Sequence, residues 1–337
     1  MRTLVCTKPG LLEYSDAPVP VNAAGSTLLR IRRIGICGTD LHAFEGTQPY
    51  FSYPRVLGHE LAAEIVKTDH TGFEEGEAVT FIPYFNCGRC IACKNDKPNC
   101  CTAMKVCGVH IDGGMADYLS VPSSSLVKSQ GLGLDELALI EPLAIGAHAV
   151  AKAAIRENEF VLIAGAGPIG LGIIEFAKLA GATVIVLDIN DERLDFCKVQ
   201  LSVQHTINGL KENVMERLQE ITKGDMPTVV MDATGNLKAI HSAFEYMAHG
   251  ARYVLVGLQK EEIRFSHPEF HKREGALMSS RNATRDDFGF VITSIKERKI
   301  DPLKFISHKV SFDRLAKEFP SYSKPGTGVI KAMVQID

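Results

Sequence analysis

The stretch "NEFVLIAGAGPIGLGIIEFAKLAGATVIVLDINDERL", residues 158–194, decides how the second half of the chain folds. An apolar run from Phe160 to Ala164 enters Gly165-x-Gly167-x-x-Gly170. Apolar residues then recur at 169, 173, 176 and 179, and a β-branched run, "TVIVLD", follows. The pattern predicts strand, tight turn, helix and strand. In that setting the glycines have separate tasks: Gly165 makes the turn, Gly167 lets the backbone approach a pyrophosphate, and Gly170 lets the helix pack on the strand. The helix N-terminus then offers oriented N–H groups to phosphates. Pro168 and Ile169 in the turn, and Arg193 beyond it, join the candidate cofactor contacts. Asp188 can accept from both ribose hydroxyls and would repel a 2′-phosphate. No arginine directly follows it, so the expected cofactor is NAD rather than NADP.

Working outward, "TVVMDATG", "ARYVLVGL" and "ALMSSR" read as further buried strands separated by helical stretches. Alternation of this kind gives an α/β fold with a doubly wound parallel sheet, expected over residues 146–283. The helix "RDDFGFVITSIKER" and the strand "GVIKAMVQID" do not extend that repeat, so 284–337 is assigned with 1–145 to a second domain. A chain of 337 residues is long enough for two cores. Its net charge of −3 and pI near 6.4 give no basic surface for nucleic acid. The first residues carry no apolar signal-like run. The longest apolar stretch, Phe160 to Ile174, is too short to span a bilayer, so a cytoplasmic protein with no membrane partner is expected.

Five of the nine cysteines crowd into "FNCGRCIACKNDKPNCC", residues 85–101. In a reducing compartment disulfides are disfavoured. The spacing Cys87-x2-Cys90-x2-Cys93-x7-Cys101 instead lets four thiolates close around one tetrahedral metal, and zinc is the usual occupant of an all-sulfur site. Cys100 is a spare thiol that could replace Cys101. A site with four protein ligands has no open position, so this lobe is structural.

A different donor set is scattered through the chain. Cys37 sits on a glycine-flanked turn in "GICGTDLHAFEG", His59 and Glu60 follow an apolar run in "YPRVLGHELAAEIV", and Glu141 stands inside the apolar "ALIEPLAIGAHAV". "HELAA" is not a metalloprotease helix, because Ala63 stands where a second histidine is required. One sulfur, one imidazole and one or two carboxylates could hold a zinc ion with an open position for substrate. A helix cap or a core salt bridge would equally account for Glu141.

Taken in order, "GICGTDLH", "GHE", "CGRCIACKNDKPNCC", "EPLAIGAHA" and "GAGPIGL" resemble the zinc-dependent medium-chain alcohol and polyol dehydrogenases across essentially the whole chain. The resemblance implies a β-rich GroES-like catalytic domain beside a Rossmann domain, two zinc ions per chain, and an active site in the cleft between them. It implies Thr39 as first acceptor of the substrate's hydroxyl proton and His42 as its relay to solvent. Glu141 stands where the alcohol-dehydrogenase branch has a second cysteine, which marks the polyol branch. There the zinc ligand can be Glu60, Glu141, or one with the other acting through water, so Glu60 counts as both catalytic and metal-binding candidate.

"HAFEGTQPYFSYPRVLGHE", "GVHIDGGMADYLSVP" and "FSHPEFHKREGALMSSRNAT" look closer still to a branch that oxidises hexonates. Such a substrate carries a carboxylate. Lys105, His110, His271, Lys272, Arg281 and Asn282 lie in or beside those stretches, and Arg281 or Lys105 is the expected partner of the carboxylate. A neutral polyol is the alternative substrate. A zinc-free quinone reductase or a non-enzymatic NAD-binding protein would need neither the lobe nor the Cys–His–Glu set. By analogy with the family, a homo-oligomer, dimer or tetramer, is expected to pair through a strand near "ARYVLVGLQ".

Overall fold

The computed structural model describes every residue except Tyr50 and Pro325. The chain divides into two compact units, Met1–Pro142 with Thr284–Asp337, and Leu143–Ala283. The junction falls three residues before the expected break at 145, inside the helix Ile140–Ala153.

The first unit is built on antiparallel strands. Its main sheet runs Leu126–Lys128, Ala78–Phe81, Glu60–Lys67, Ser26–Gly35, Lys331–Gln335, Ile306–Ser311, with Tyr118–Pro122 also paired to Ser26–Gly35. The central strand, "STLLRIRRIG", buries Leu28, Leu29, Ile31 and Ile34 and leaves its three arginines half-buried; strict alternation is interrupted by register shifts between Leu28 and Leu29 and between Ile31 and Arg33. Register matters here: Gly35 lies opposite Glu60. Met333 of the C-terminal strand pairs with Gly35 from the other side. The core gathers Leu4, Ile31, Ile34, Leu57, Phe81, Phe312 and Phe319, all close to fully buried. Residues 284–337 pack with this unit.

The second unit is a six-stranded parallel sheet in the order His205–Asn208, Thr183–Asp188, Phe160–Ala164, Val229–Asp232, Arg252–Leu255, Ala276–Ser279. Numbered within the unit, that is 3-2-1-4-5-6, the doubly wound arrangement whose direction switches between its first and fourth strands. The helix Pro168–Leu179 buries every residue from Gly170 to Ala177, while Leu179 is exposed. The apolar face expected from positions 169 to 179 is therefore wider and displaced from its last member. The strand Arg252–Leu255 is interior, contrary to the expectation that it offers an edge. The edge on that side is Ala276–Ser279, because the sixth strand pairs outside the fifth, and His205–Asn208 forms the other edge.

Candidate active site

The glycine turn is the first piece of chemistry in the second unit. Gly165 has φ +99°, a conformation that other residues rarely adopt. A Cβ on Gly170 would lie 1.8 Å from the Gly165 carbonyl oxygen, so only glycine lets the helix start this close to the strand. A Cβ on Gly167 would meet only Arg193, at 3.8 Å, which leaves the space above that backbone open for a ligand. Asp188 organises the turn: Oδ2 accepts from Ala166 N (2.6 Å), and Oδ1 accepts from Ile189 N and Asn190 N. It ties the turn to the end of the second strand. Across the switch point, buried Asp232 accepts from the Thr234 hydroxyl and from Gly235 N, holding the turn that Gly165 packs against. Sequence reasoning had missed Asp232, although "MDATG" follows a buried strand just as Asp188 does.

In the first unit, the lobe brings the sulfurs of Cys87, Cys90, Cys93 and Cys101 within 4.8 Å of one another. Cys101 is buried and Cys100 is exposed. Cys87 N and Ala103 N donate to the Cys101 sulfur at 3.2 and 3.4 Å. Backbone N–H groups of Cys93 and Thr102 bring the Cys90 thiol down to about 5, which favours its thiolate. Four sulfurs converging on one point with backbone donors behind them suit a metal that binds thiolates.

The second cluster is Cys37, His59 and Glu60, whose donor atoms also lie within 4.8 Å of one another. Cys37 caps the helix Gly38–Glu45, and His59 immediately precedes the strand Glu60–Lys67. Asp40, almost fully buried, joins the two segments: Oδ2 accepts from Cys37 N (3.0 Å) and Oδ1 from Gly58 N (3.1 Å). His59 Nδ1 is buried without a hydrogen-bond partner, and Asp40 Oδ1 is 3.7 Å from it, too far to bond. Burial alone would depress the His59 pKa; the Cys37 sulfur and Asp40 outweigh it and hold the imidazole well above its ordinary value. Glycines make room behind these side chains. A Cβ on Gly113 would lie 2.4 Å from the Gly58 carbonyl oxygen, and one on Gly35 would lie 2.1 Å from Glu60 Oε2.

The two glutamates have different partners. Both Glu60 oxygens accept from Lys331 Nζ at 2.6 Å, and neither side chain is more than 2% exposed. Glu141, also buried, is the second residue of its helix and accepts from the Tyr84 hydroxyl. It lies in the first turn of that helix rather than at its cap, and among the described residues it forms no salt bridge. Burial, chiefly, pushes its pKa up to about 7, and burial together with Glu141 lifts Tyr84 well above the ordinary phenol. Neither Lys331 nor Tyr84 was anticipated. The sulfur, imidazole and carboxylate set, rich in buried negative charge, fits a divalent metal of the zinc type.

Thr39 and His42 are three residues apart on one face of the Gly38–Glu45 helix. Thr39 is half-buried. His42 is exposed, with Nδ1 3.2 Å from Thr47 Oγ1 and 3.7 Å from Glu45 Oε2. Of the candidate substrate contacts, Lys105 and His110 belong to the first unit, where His110 Nδ1 accepts from Val106 N. Arg281 and Asn282, like His271 and Lys272, belong to the second, with Asn282 in a left-handed conformation just after the edge strand.

Comparison with known proteins places this geometry. Residues 23–131 match the alcohol dehydrogenase GroES-like domain, and residues 168–297 match the zinc-binding dehydrogenase domain. The chain is 42% identical to L-galactonate-5-dehydrogenase of Escherichia coli K12 over 321 residues, covering 95% of this chain and 94% of that protein. It is 28% identical to a sorbitol dehydrogenase of Halalkalibacterium halodurans, with both chains covered in full. RspB of Escherichia coli CFT073, solved with NADH, superposes with a TM-score of 0.92 at 31% identity, covering 100% of this chain and 99% of that one. The chain belongs to the zinc-dependent medium-chain alcohol dehydrogenases. It is an alcohol dehydrogenase with a GroES-like fold and a Rossmann fold, and its substrates are small molecules. Among the described residues no helix is long and apolar enough to cross a membrane.

Proposed function

We propose that this enzyme oxidises a secondary alcohol of a sugar acid with NAD, most specifically L-galactonate to D-tagaturonate. The first unit would carry the chemistry and the second the cofactor. The observation that carries the class of reaction is the convergence of Cys37, His59 and Glu60, with Glu141 nearby, beside a helix bearing Thr39 and His42. Support for the substrate comes from the 42% identity to an L-galactonate dehydrogenase over nearly the whole chain. A neutral polyol is the second reading, favoured by the full-length similarity to a sorbitol dehydrogenase.

Cys37, His59 and Glu60 would hold the catalytic zinc, with Glu141 as direct ligand or as partner through water. Cys87, Cys90, Cys93 and Cys101 would hold the structural one. Zinc at the open site supplies a Lewis acid that makes the alcohol's proton easier to lose. Thr39 accepts that proton, and His42 passes it on. The exposed imidazole suits release of the proton to solvent. Thr47, within hydrogen-bond distance of His42 Nδ1, orients the ring. Arg281 or Lys105 would meet the substrate carboxylate, with His110 and Asn282 as further polar contacts. In the second unit the turn from Gly165 to Gly170, with Pro168 and Ile169, receives the pyrophosphate. Asp188 faces the ribose and disfavours a 2′-phosphate, and Arg193 stands beside Gly167.

Nine unpaired cysteines suit a reducing, cytoplasmic setting. The exposed edge Ala276–Ser279, with Leu277 outward, would pair with a second copy to form a dimer or the core of a tetramer. The test is formation of reduced nicotinamide by zinc-loaded enzyme with L-galactonate, L-gulonate, D-altronate and L-idonate against sorbitol, xylitol and galactitol. Turnover confined to one or two aldonates is expected. Preference for the neutral polyols would overturn the sugar-acid assignment.

A further inference from the structure

Lys331 enters the buried centre of the first unit from the C-terminal strand, and its surroundings are built for one ammonium group. A lysine has three N–H donors. Lys331 directs them at Glu60 Oε1 and Oε2, both at 2.6 Å, and at the Ile36 carbonyl at 3.1 Å. Ile36 immediately precedes Cys37, so one side chain links the segment carrying the sulfur donor to the carboxylate donor. Burial alone would lower the lysine's pKa, and the charges of Glu60 and Cys37 outweigh it. The carboxylate has little freedom to leave: Gly35 faces it across the ladder, with 2.1 Å between Oε2 and the place a Cβ would take. A buried ammonium is costly unless fully paired.

We propose that Lys331 is a positioning residue for the metal centre: it fixes the Glu60 carboxylate against Cys37 and His59 and offsets its charge. The proposal rests on the reading that those three residues hold a metal. Groups that orient metal ligands in this way typically contribute about 10–100-fold to metal affinity when removed.

The experiment uses cobalt(II) in place of zinc in the full chain, because visible absorption then reports each site separately. The four-thiolate lobe has its own charge-transfer bands and serves as an internal monitor of folding. K331M should weaken cobalt binding at the Cys37 centre about 10–100-fold in chelator competition and change that centre's ligand-field bands, with the lobe's bands unchanged. K331R should restore most of both. The double variant E60Q/K331M, which removes both charges together, should be no weaker than E60Q, since Lys331 acts through Glu60. If K331M alone fails to fold, the comparison of E60Q with the double variant still decides. Wild-type loading at both sites, with K331M indistinguishable from it in spectrum and affinity, overturns the proposal alone, as does full additivity of the two substitutions. Wild-type uptake of cobalt only at the lobe overturns the reading of the centre, and the proposal with it.

Discussion

Gly35→Ala is the smallest change that should disable this enzyme without touching a donor atom. The added Cβ would sit 2.1 Å from Glu60 Oε2, 3.0 Å from its Cβ and 3.2 Å from its Cδ. Carbon and oxygen tolerate little under 3.2 Å, so the carboxylate must move by roughly 1 Å, the difference between 3.2 and 2.1 Å. It cannot swing freely, because Lys331 grips both oxygens at 2.6 Å. A shift of that size stretches at least one of those bonds beyond hydrogen-bond range. Overpacking costs about 1–3 kcal/mol, and complete loss of a partner in a buried pair about 3–5 kcal/mol. Part of each applies, so a loss of about 3 kcal/mol in the first unit is expected. If Glu60 holds the metal as proposed, misplacing it by about 1 Å should lower kcat/KM about 100-fold. Denaturant unfolding, steady-state kinetics and metal content per chain would be measured together. Gly289→Ala is the control: it is a glycine inside the Arg285–Lys296 helix with nothing within 4 Å of its added carbon, and it should gain about 0.5–1 kcal/mol. Wild-type stability and kcat/KM in Gly35→Ala would refute the reasoning, because Glu60 would then not be held where the geometry puts it.

Other outcomes follow from the same contacts. Cys101→Ser should lower bound zinc from about two ions per chain to about one, whereas Cys100→Ser should retain both, since the exposed thiol lies outside the sulfur cluster; metal analysis after dialysis decides. Gly170→Ala must push the helix off the Gly165 carbonyl, 1.8 Å from the new carbon, and should weaken NAD binding by at least about tenfold in a fluorescence titration. Asp135 is bonded to Arg33 (2.7 Å) and Lys309 (2.6 Å); burial raises its pKa, but these two partners outweigh that and hold it below the ordinary value. A depressed folded pKa contributes stability that is present above the unfolded value near 3.9 and is lost as pH falls through the folded one. Asp135→Asn should therefore cost about 1 kcal/mol at neutral pH, and the difference from wild type should shrink as pH falls below about 3.9, as read by denaturant unfolding across that range. Leu277→Lys, on the exposed edge strand, should shift a dimer towards monomer in light scattering while leaving the parallel sheet intact.

What the sequence disclosed and what it withheld divide along a physical line. The glycine turn and the C-x2-C steps are local: a turn of few residues fixes the φ of Gly165 or the convergence of four sulfurs, so the spacing carries the geometry. Glu141 could be picked out because it is chemically out of place, a carboxylate inside an apolar run, and Cys37, His59 and Glu60 because metal-ligating types stand at a glycine-flanked turn or directly after an apolar run and a glycine. Their partners could not. Lys331 is 271 residues from Glu60, and it reads as an ordinary lysine at the start of a strand. Only ladder register, Glu60 opposite Gly35 and Gly35 opposite Met333, brings the C-terminal strand to the donor cluster. The same holds for Tyr84 and Glu141, which are 57 residues apart, and for the sheet edge, which was placed one strand too early. Periodicity says which residues form strands but not which strand lies outermost. The consequence for function is specific. The donors of this centre mark the family, while the residues that set how those donors stand come from register. Differences between enzymes that share the Cys–His–Glu set should therefore be sought at positions such as Gly35, Tyr84 and Lys331.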